Sequence, residues 1–133
     1  GALTFFVSLG NTHDNPEDSA IHFTAGTFND VQKKAREENK VIFMDVYASW
    51  CGPCKLLKKT TFTDKELGAY FNTNFINIAI DGETAEGKIL MQLYKVRSYP
   101  TMLFINPDGS VKQAAVGYHT ANQLLKVAKK ATN

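Results

Sequence analysis

The two thiols of the 133-residue sequence, Cys51 and Cys54, stand three positions apart in Trp50-Cys51-Gly52-Pro53-Cys54-Lys55. A strand-like run precedes them and a helix-like run follows. Cys51 therefore opens a helix, where unpaired N–H groups and the macrodipole favour a thiolate. Cys54 lies one turn up the same helix face, within reach of a mixed disulfide formed at Cys51. Such a pair exchanges two electrons with a substrate disulfide. Gly52 leaves room for an approaching chain, and Pro53 is tolerated where its missing N–H has no bond to make. Two other chemistries fit a pair of cysteines. One is half of a zinc site completed by His13, His22 or His119, none of which has finger-like spacing. The other is a structural bridge, which across so small a loop restrains little of the unfolded chain. Redox exchange ranks first, metal binding second and a structural bridge third, because this spacing beside a βαβ pattern is itself a redox signature.

The elements that must position this pair read as alternating strands and helices. Residues 10–19 are a polar connector, residues 21–23 a short strand, and residues 27–39 a helix with Phe28, Val31 and Ala35 on one face. Residues 41–47 are apolar on both faces, as in a central strand covered by helices, and are interrupted by one carboxylate, Asp45. Residues 55–59 continue as helix with Leu56 and Leu57 turned inward. Thr63 and Glu66 form a capping pattern for a second short helix through Leu67, Tyr70 and Phe71. Residues 75–81 read as a second central strand, and residues 85–94 as a helix with Ile89, Leu90, Leu93 and Tyr94 on one face. Asn106-Pro107-Asp108-Gly109 joins residues 101–105 and 110–116 as a hairpin. Thr120 to Gln123 then caps a last helix that buries Ala121, Leu124, Leu125 and Ala128.

Composition excludes several classes. Hydrophobic residues are 44% and charged residues 21%, with 15 basic against 13 acidic side chains, so neither disorder nor a concentrated nucleic-acid-binding field is indicated. No apolar run is long enough to span a membrane. Residues 2–7 are apolar, which fits equally the remnant of a secretory signal peptide or a docked edge segment. The expected organisation is an extension or linker over residues 1–20 and one domain over residues 21–133.

Asp45 through Lys55 resembles the active-site segment of the thioredoxin superfamily, and Tyr99-Pro100-Thr101 resembles its cis-proline loop. Four separated features agree: the cysteine motif, a carboxylate six residues before it, Pro-Thr before a hairpin, and Gly117 after the last strand. The resemblance implies an α/β thioredoxin fold, a central mixed sheet flanked by helices and ending in a hairpin and a C-terminal helix. It also implies roles: Cys51 exposed and attacking, Cys54 buried and resolving, and Asp45 a buried carboxylate of raised pKa that takes the proton from Cys54. The reading of Asp45 without the resemblance is a strand-end hydrogen-bond acceptor. The implied substrate surface consists of Trp50, Gly52, Pro53, Tyr99, Pro100 and Gly117. Trp50 read alone is a partly buried core aromatic. Pro100 read alone is trans, since only about 5–6% of X–Pro bonds in folded proteins are cis; the resemblance implies cis, with the Tyr99 backbone opposite Cys51.

Two positions depart from the thioredoxin pattern. Asn77 takes the place of the lysine expected to face Asp45, and Lys59 that of the proline midway in the active-site helix, which should leave this helix straighter. Residues 60–64 resemble instead the thioredoxin-like domain at the C-terminus of the bacterial membrane disulfide reductase. The function implied is a thiol–disulfide oxidoreductase acting as a reductase, with an isomerase or a non-catalytic redox-sensing adaptor as alternatives. The expected partners are proteins with disulfides or thiols and a further redox protein, with no metal, organic cofactor or nucleic acid, on a monomer that is periplasmic or otherwise exported, or alternatively cytoplasmic.

Overall fold

The computed structural model describes residues 19–133. The apolar residues 2–7, most of the polar connector, His13, and all of the expected extension but Ser19 and Ala20 lie outside the described residues. The elements are α1 (Phe28–Glu38), β1 (Val41–Tyr47), α2 (Gly52–Leu56) running into a π-helical turn (Leu57–Thr61), α3 (Lys65–Asn74), β2 (Phe75–Asp81), α4 (Ala85–Tyr94), β3 (Thr101–Ile105), β4 (Val111–Val116) and α5 (Ala121–Ala131). Among the described residues they form one sheet in the order β2-β1-β3-β4. β1 is parallel to β2 and antiparallel to β3, which pairs antiparallel with β4. The expected mixed sheet, terminal hairpin and closing helix are all present.

Local signals explain most of these boundaries. Thr27 and Asp30 form a reciprocal capping box that starts α1, and Asn39 ends it in the left-handed region at φ 53°. Thr120 and Gln123 form the same box for α5, whose Leu124, Ala128 and Ala131 are buried. Period-2 alternation on β1 sends Phe43 and Asp45 to one sheet face and Ile42, Met44 and Val46 to the other. The first face is aromatic: Phe43 meets Phe71 edge-on at 4.8 Å between centroids, and Phe104 lies 5.1 Å away, beneath the π turn, α3 and α5. Each such buried ring contributes about 1.5–3 kcal/mol by leaving water, and the edge contacts add to that. The second face is aliphatic, covered by α1 and α4.

Five expectations are corrected. Residues 21–23 form no strand, because the hydrogen bonds of this segment diverge: the Ala20 and Ile21 N–H groups donate to Phe62 O, and Thr24 N–H donates to Asn77 O at 2.7 Å. β2 is an edge strand of the described sheet, not a central one. Its apolar character reflects packing on both faces, Phe75 in the aromatic cluster and Ile76 and Ile78 in the aliphatic one. Leu57 is buried but Leu56 is exposed, and Ile89 and Leu93 stand 67% and 64% exposed while Leu90 alone of that set is buried. The α3 cap is Asp64, which accepts from Leu67 N–H at 2.9 Å, whereas Thr63 Oγ1 donates to Lys59 O. The active-site helix, which lacks a proline, carries a π turn. Phe62 N–H reaches back five residues to Leu57 O, widening the turn so that Leu57, Thr61 and Phe62 all face the core.

Candidate active site

β1 ends at Tyr47, and the turn through Ala48 delivers Cys51 to the N-cap of α2, with Cys51 N–H donating to Ala48 O. Cys51 and Cys54 are joined by a disulfide with Cα atoms 5.3 Å apart. Cys51 Sγ accepts a hydrogen bond from Cys54 N–H at 3.2 Å. This is the helix-start donor that stabilises a thiolate when the bond is opened. Pro53 occupies the first turn without cost, and nothing stands within 4 Å of where a Gly52 Cβ would project, so the motif is open on that side. One expectation fails here: Cys51 is not the more exposed sulfur residue. Both cysteines are 4% exposed in the disulfide form, because Ala48, Tyr47 and Tyr99 pack against them.

Asp45 is buried in mid-strand, so it is not a strand-end acceptor, and its Oδ1 has no hydrogen-bond partner among the described residues. It points to the sheet face covered by the active-site helix, where Leu57 joins its same-face neighbour Phe43 in one cluster. Desolvation pushes its carboxyl up from the ordinary 3.8 to about 7, against a smaller downward pull from Lys58. Its register partner on β2 is Ala79, which is exposed. Asn77 pairs instead with Phe43, and its amide donates to Phe71 O and His22 O at 3.4 and 3.5 Å. The residue expected to face Asp45 is thus one pleat away from it.

The Tyr99–Pro100 peptide bond is cis. Pro100 O accepts from Gly117 N–H at 2.8 Å, and Gly117 sits at φ 86°, a conformation that favours glycine. Tyr99 packs on the cysteine cluster, and its ring meets Trp50 edge-on at 5.6 Å. Trp50 is 67% exposed, so it is a surface aromatic and not part of the core. Every sequence-predicted site residue therefore lies at one end of the sheet, on the β1–α2 turn, the first turn of α2, the cis-proline loop or just after β4, except Asp45 within β1. Among the described residues no group of three or more His, Cys, Asp or Glu side chains could hold a metal ion, and no helix is long and apolar enough to cross a membrane.

Several contacts beside the site escaped sequence reasoning. Tyr99 Oη donates to Glu83 across 16 positions, Thr61 Oγ1 donates to His119 O at 2.7 Å, and Thr60 Oγ1 pairs with Tyr118 Oη at 2.9 Å. No periodicity or motif connects these pairs, and only the capped ends of the elements brought together here hint at where they meet.

A family profile described as "Thioredoxin-like domain" matches residues 28–132. The chain is 35% identical over 95 residues to the thiol:disulfide interchange protein DsbD of Pseudomonas fluorescens, covering 69% of this chain and 16% of that protein. It therefore spans about a sixth of that relative's length. It is 36% identical over 83 residues to Thioredoxin-1 of Drosophila melanogaster, covering 62% of this chain and 73% of the relative. Among solved structures, a candidate disulphide-isomerase from Bacteroides thetaiotaomicron superposes with a TM-score of 0.75 at 42% identity, over 85% of this chain and 93% of that one. A thioredoxin from Thermus thermophilus superposes with a TM-score of 0.74 at 16% identity, over 84% and 86% of the two chains, a likeness of fold alone.

Proposed function

We propose, from the premise that the chain belongs to the thioredoxin-like domain family of disulfide oxidoreductases and has the thioredoxin fold, that it reduces disulfides in protein substrates through Cys51 and Cys54. The observation that carries this reading is the Cys51 sulfur at a helix N-cap, accepting the Cys54 N–H above a buried, unpartnered Asp45. In the dithiol form, Cys51 thiolate attacks one sulfur of the substrate disulfide, and the other leaves as a thiolate. Cys54 then gives its proton to Asp45 and attacks Cys51 Sγ. This forms the Cys51–Cys54 disulfide and releases the second substrate thiolate. Two electrons pass to the substrate, and a dithiol partner protein restores the pair by the reverse exchange. Trp50, Gly52, Pro53, Tyr99, Pro100 and Gly117 form the surface on which the substrate chain lies.

An isomerase is the second reading, supported by the likeness to the candidate disulphide-isomerase from Bacteroides thetaiotaomicron. The matches to DsbD support an exported location and a protein redox partner. Reduction of insulin disulfides by the purified chain in the presence of a dithiol, abolished by Cys51→Ser, tests the enzymatic reading; equal activity in both proteins contradicts it. An equilibrium of the pair against a glutathione series separates the two enzymes. A strongly reducing potential supports the reductase, and one near that of protein disulfide isomerase, about −180 mV, supports the isomerase.

A further inference from the structure

Tyr99 is held by more than its own loop. Its Oη donates to Glu83 Oε2 at 2.7 Å and lies 3.3 Å from Met91 Sδ. Its ring rests on Gly82: a Cβ there would stand 2.5 Å from ring atom Cε1 and from Oη, and 2.6 Å from Met91 Sδ. Gly82 is itself fixed, donating its N–H to Tyr47 O at 2.8 Å. Burial and the Glu83 carboxylate push the Tyr99 hydroxyl up to about 12, so it remains a donor over the whole working range. The ring also meets exposed Trp50 edge-on, and Tyr99 packs against the cluster of Ala48, Cys51 and Cys54.

We propose that Glu83 is a positioning residue for substrate selection: by accepting from Tyr99 Oη it locks the ring against Trp50 as one rigid aromatic wall beside Cys51. This rests on the proposed thiol–disulfide exchange and adds to it a preference. Gly117 N–H bonds to Pro100 O at the cis-proline loop, and the Oη of the neighbouring Tyr118 pairs with Thr60 Oγ1. A substrate chain lying along that loop meets the aromatic wall of Tyr99 and Trp50. The substrate class selected is an extended peptide disulfide with an apolar side chain adjacent to the attacked cysteine. A freely rotating Tyr99 would lose part of its contact with such a side chain to the entropy of ordering it.

The test compares two disulfides: a peptide dimer bridged through one cysteine with leucine on either side, and hydroxyethyl disulfide, which has no apolar side chain for the wall to select. In Glu83→Ala, KM for the leucine peptide is expected to rise about three- to tenfold, the value of one hydrogen bond of this kind, with the change in KM and not in kcat. The ratio of kcat/KM for the peptide over that for hydroxyethyl disulfide falls by the same factor. Glu83→Gln, whose amide oxygen still accepts, restores the ratio to within about twofold. Gly82→Ala, which displaces the ring while leaving Glu83 intact, lowers the ratio as Glu83→Ala does. An unchanged ratio in Glu83→Ala, an equal loss on both disulfides, or no rescue by Gln overturns the proposal while the exchange reading stands. If the unaltered protein reduces neither disulfide, both fall together.

Discussion

Asp45 and Asn77 are buried polar side chains on neighbouring strands and the same sheet face, and each has a side-chain oxygen with no hydrogen-bond partner among the described residues. Asn77 nevertheless holds scaffold together, since its amide nitrogen reaches Phe71 O and His22 O, tying α3 and the segment before α1 to β2. Asp45 lies under the active-site helix and opposite exposed Ala79, and desolvation raises its carboxyl to about 7. Two side chains of nearly equal size and burial thus differ in one property, the ability to take up a proton. An unsatisfied buried group costs stability, and in the proposed exchange only Asp45, which titrates, turns that cost into a means of moving a proton at neutral pH.

The largest effect expected from breaking this pair apart is on turnover. Asp45→Asn is expected to lower kcat for insulin reduction about a hundredfold, the low end of what a positioned base contributes, with KM little changed. Asn77→Ala in the same assay is expected to stay within about threefold. If the two variants lose activity equally, both residues are scaffold.

Next comes stability against pH. The folded state holds the Asp45 proton up to about 7, whereas the unfolded chain releases it near 3.8, so between these values the native state binds more protons. Stability is full below about pH 4, falls as pH rises, and levels off above 7 after a loss on the order of 4 kcal/mol from this residue. Denaturant unfolding of the disulfide form from pH 4 to 8 is expected to show that decline in the unaltered protein and a flatter profile in Asp45→Asn. Asn77→Ala is expected to cost about 1–3 kcal/mol at every pH, because it strands two backbone carbonyls without adding a titration. The smallest change is Ala79→Lys, which sets a cation opposite Asp45 and should lower its titration midpoint by about one unit.

Legibility from sequence divided along the same line. Cys51 and Cys54 were recognisable because local spacing carries their chemistry, Pro100 only through the family resemblance of Tyr99-Pro100-Thr101, and α1 and α5 because Thr27/Asp30 and Thr120/Gln123 are complete capping boxes. The facing of α4 was not, since Ile89/Leu93 and Leu90/Tyr94 are two adjacent apolar stripes and periodicity does not say which one meets a sheet. β2 looked central because hydrophobicity records cover on its faces and says nothing about neighbours at its edges. The π turn depends on packing of Thr61 and Phe62 and on the long-range bond to His119, and the Glu83 contact with Tyr99 spans a helix. Such features belong to tertiary structure and leave no local pattern to read.

The most direct test is a carbon-13 NMR titration of the Asp45 carboxyl in the disulfide form, assigned by its disappearance in Asp45→Asn. A midpoint near 7 is expected of an uncompensated buried acid able to accept the Cys54 proton; a midpoint near 4, that of an ordinary solvated aspartate, would contradict it.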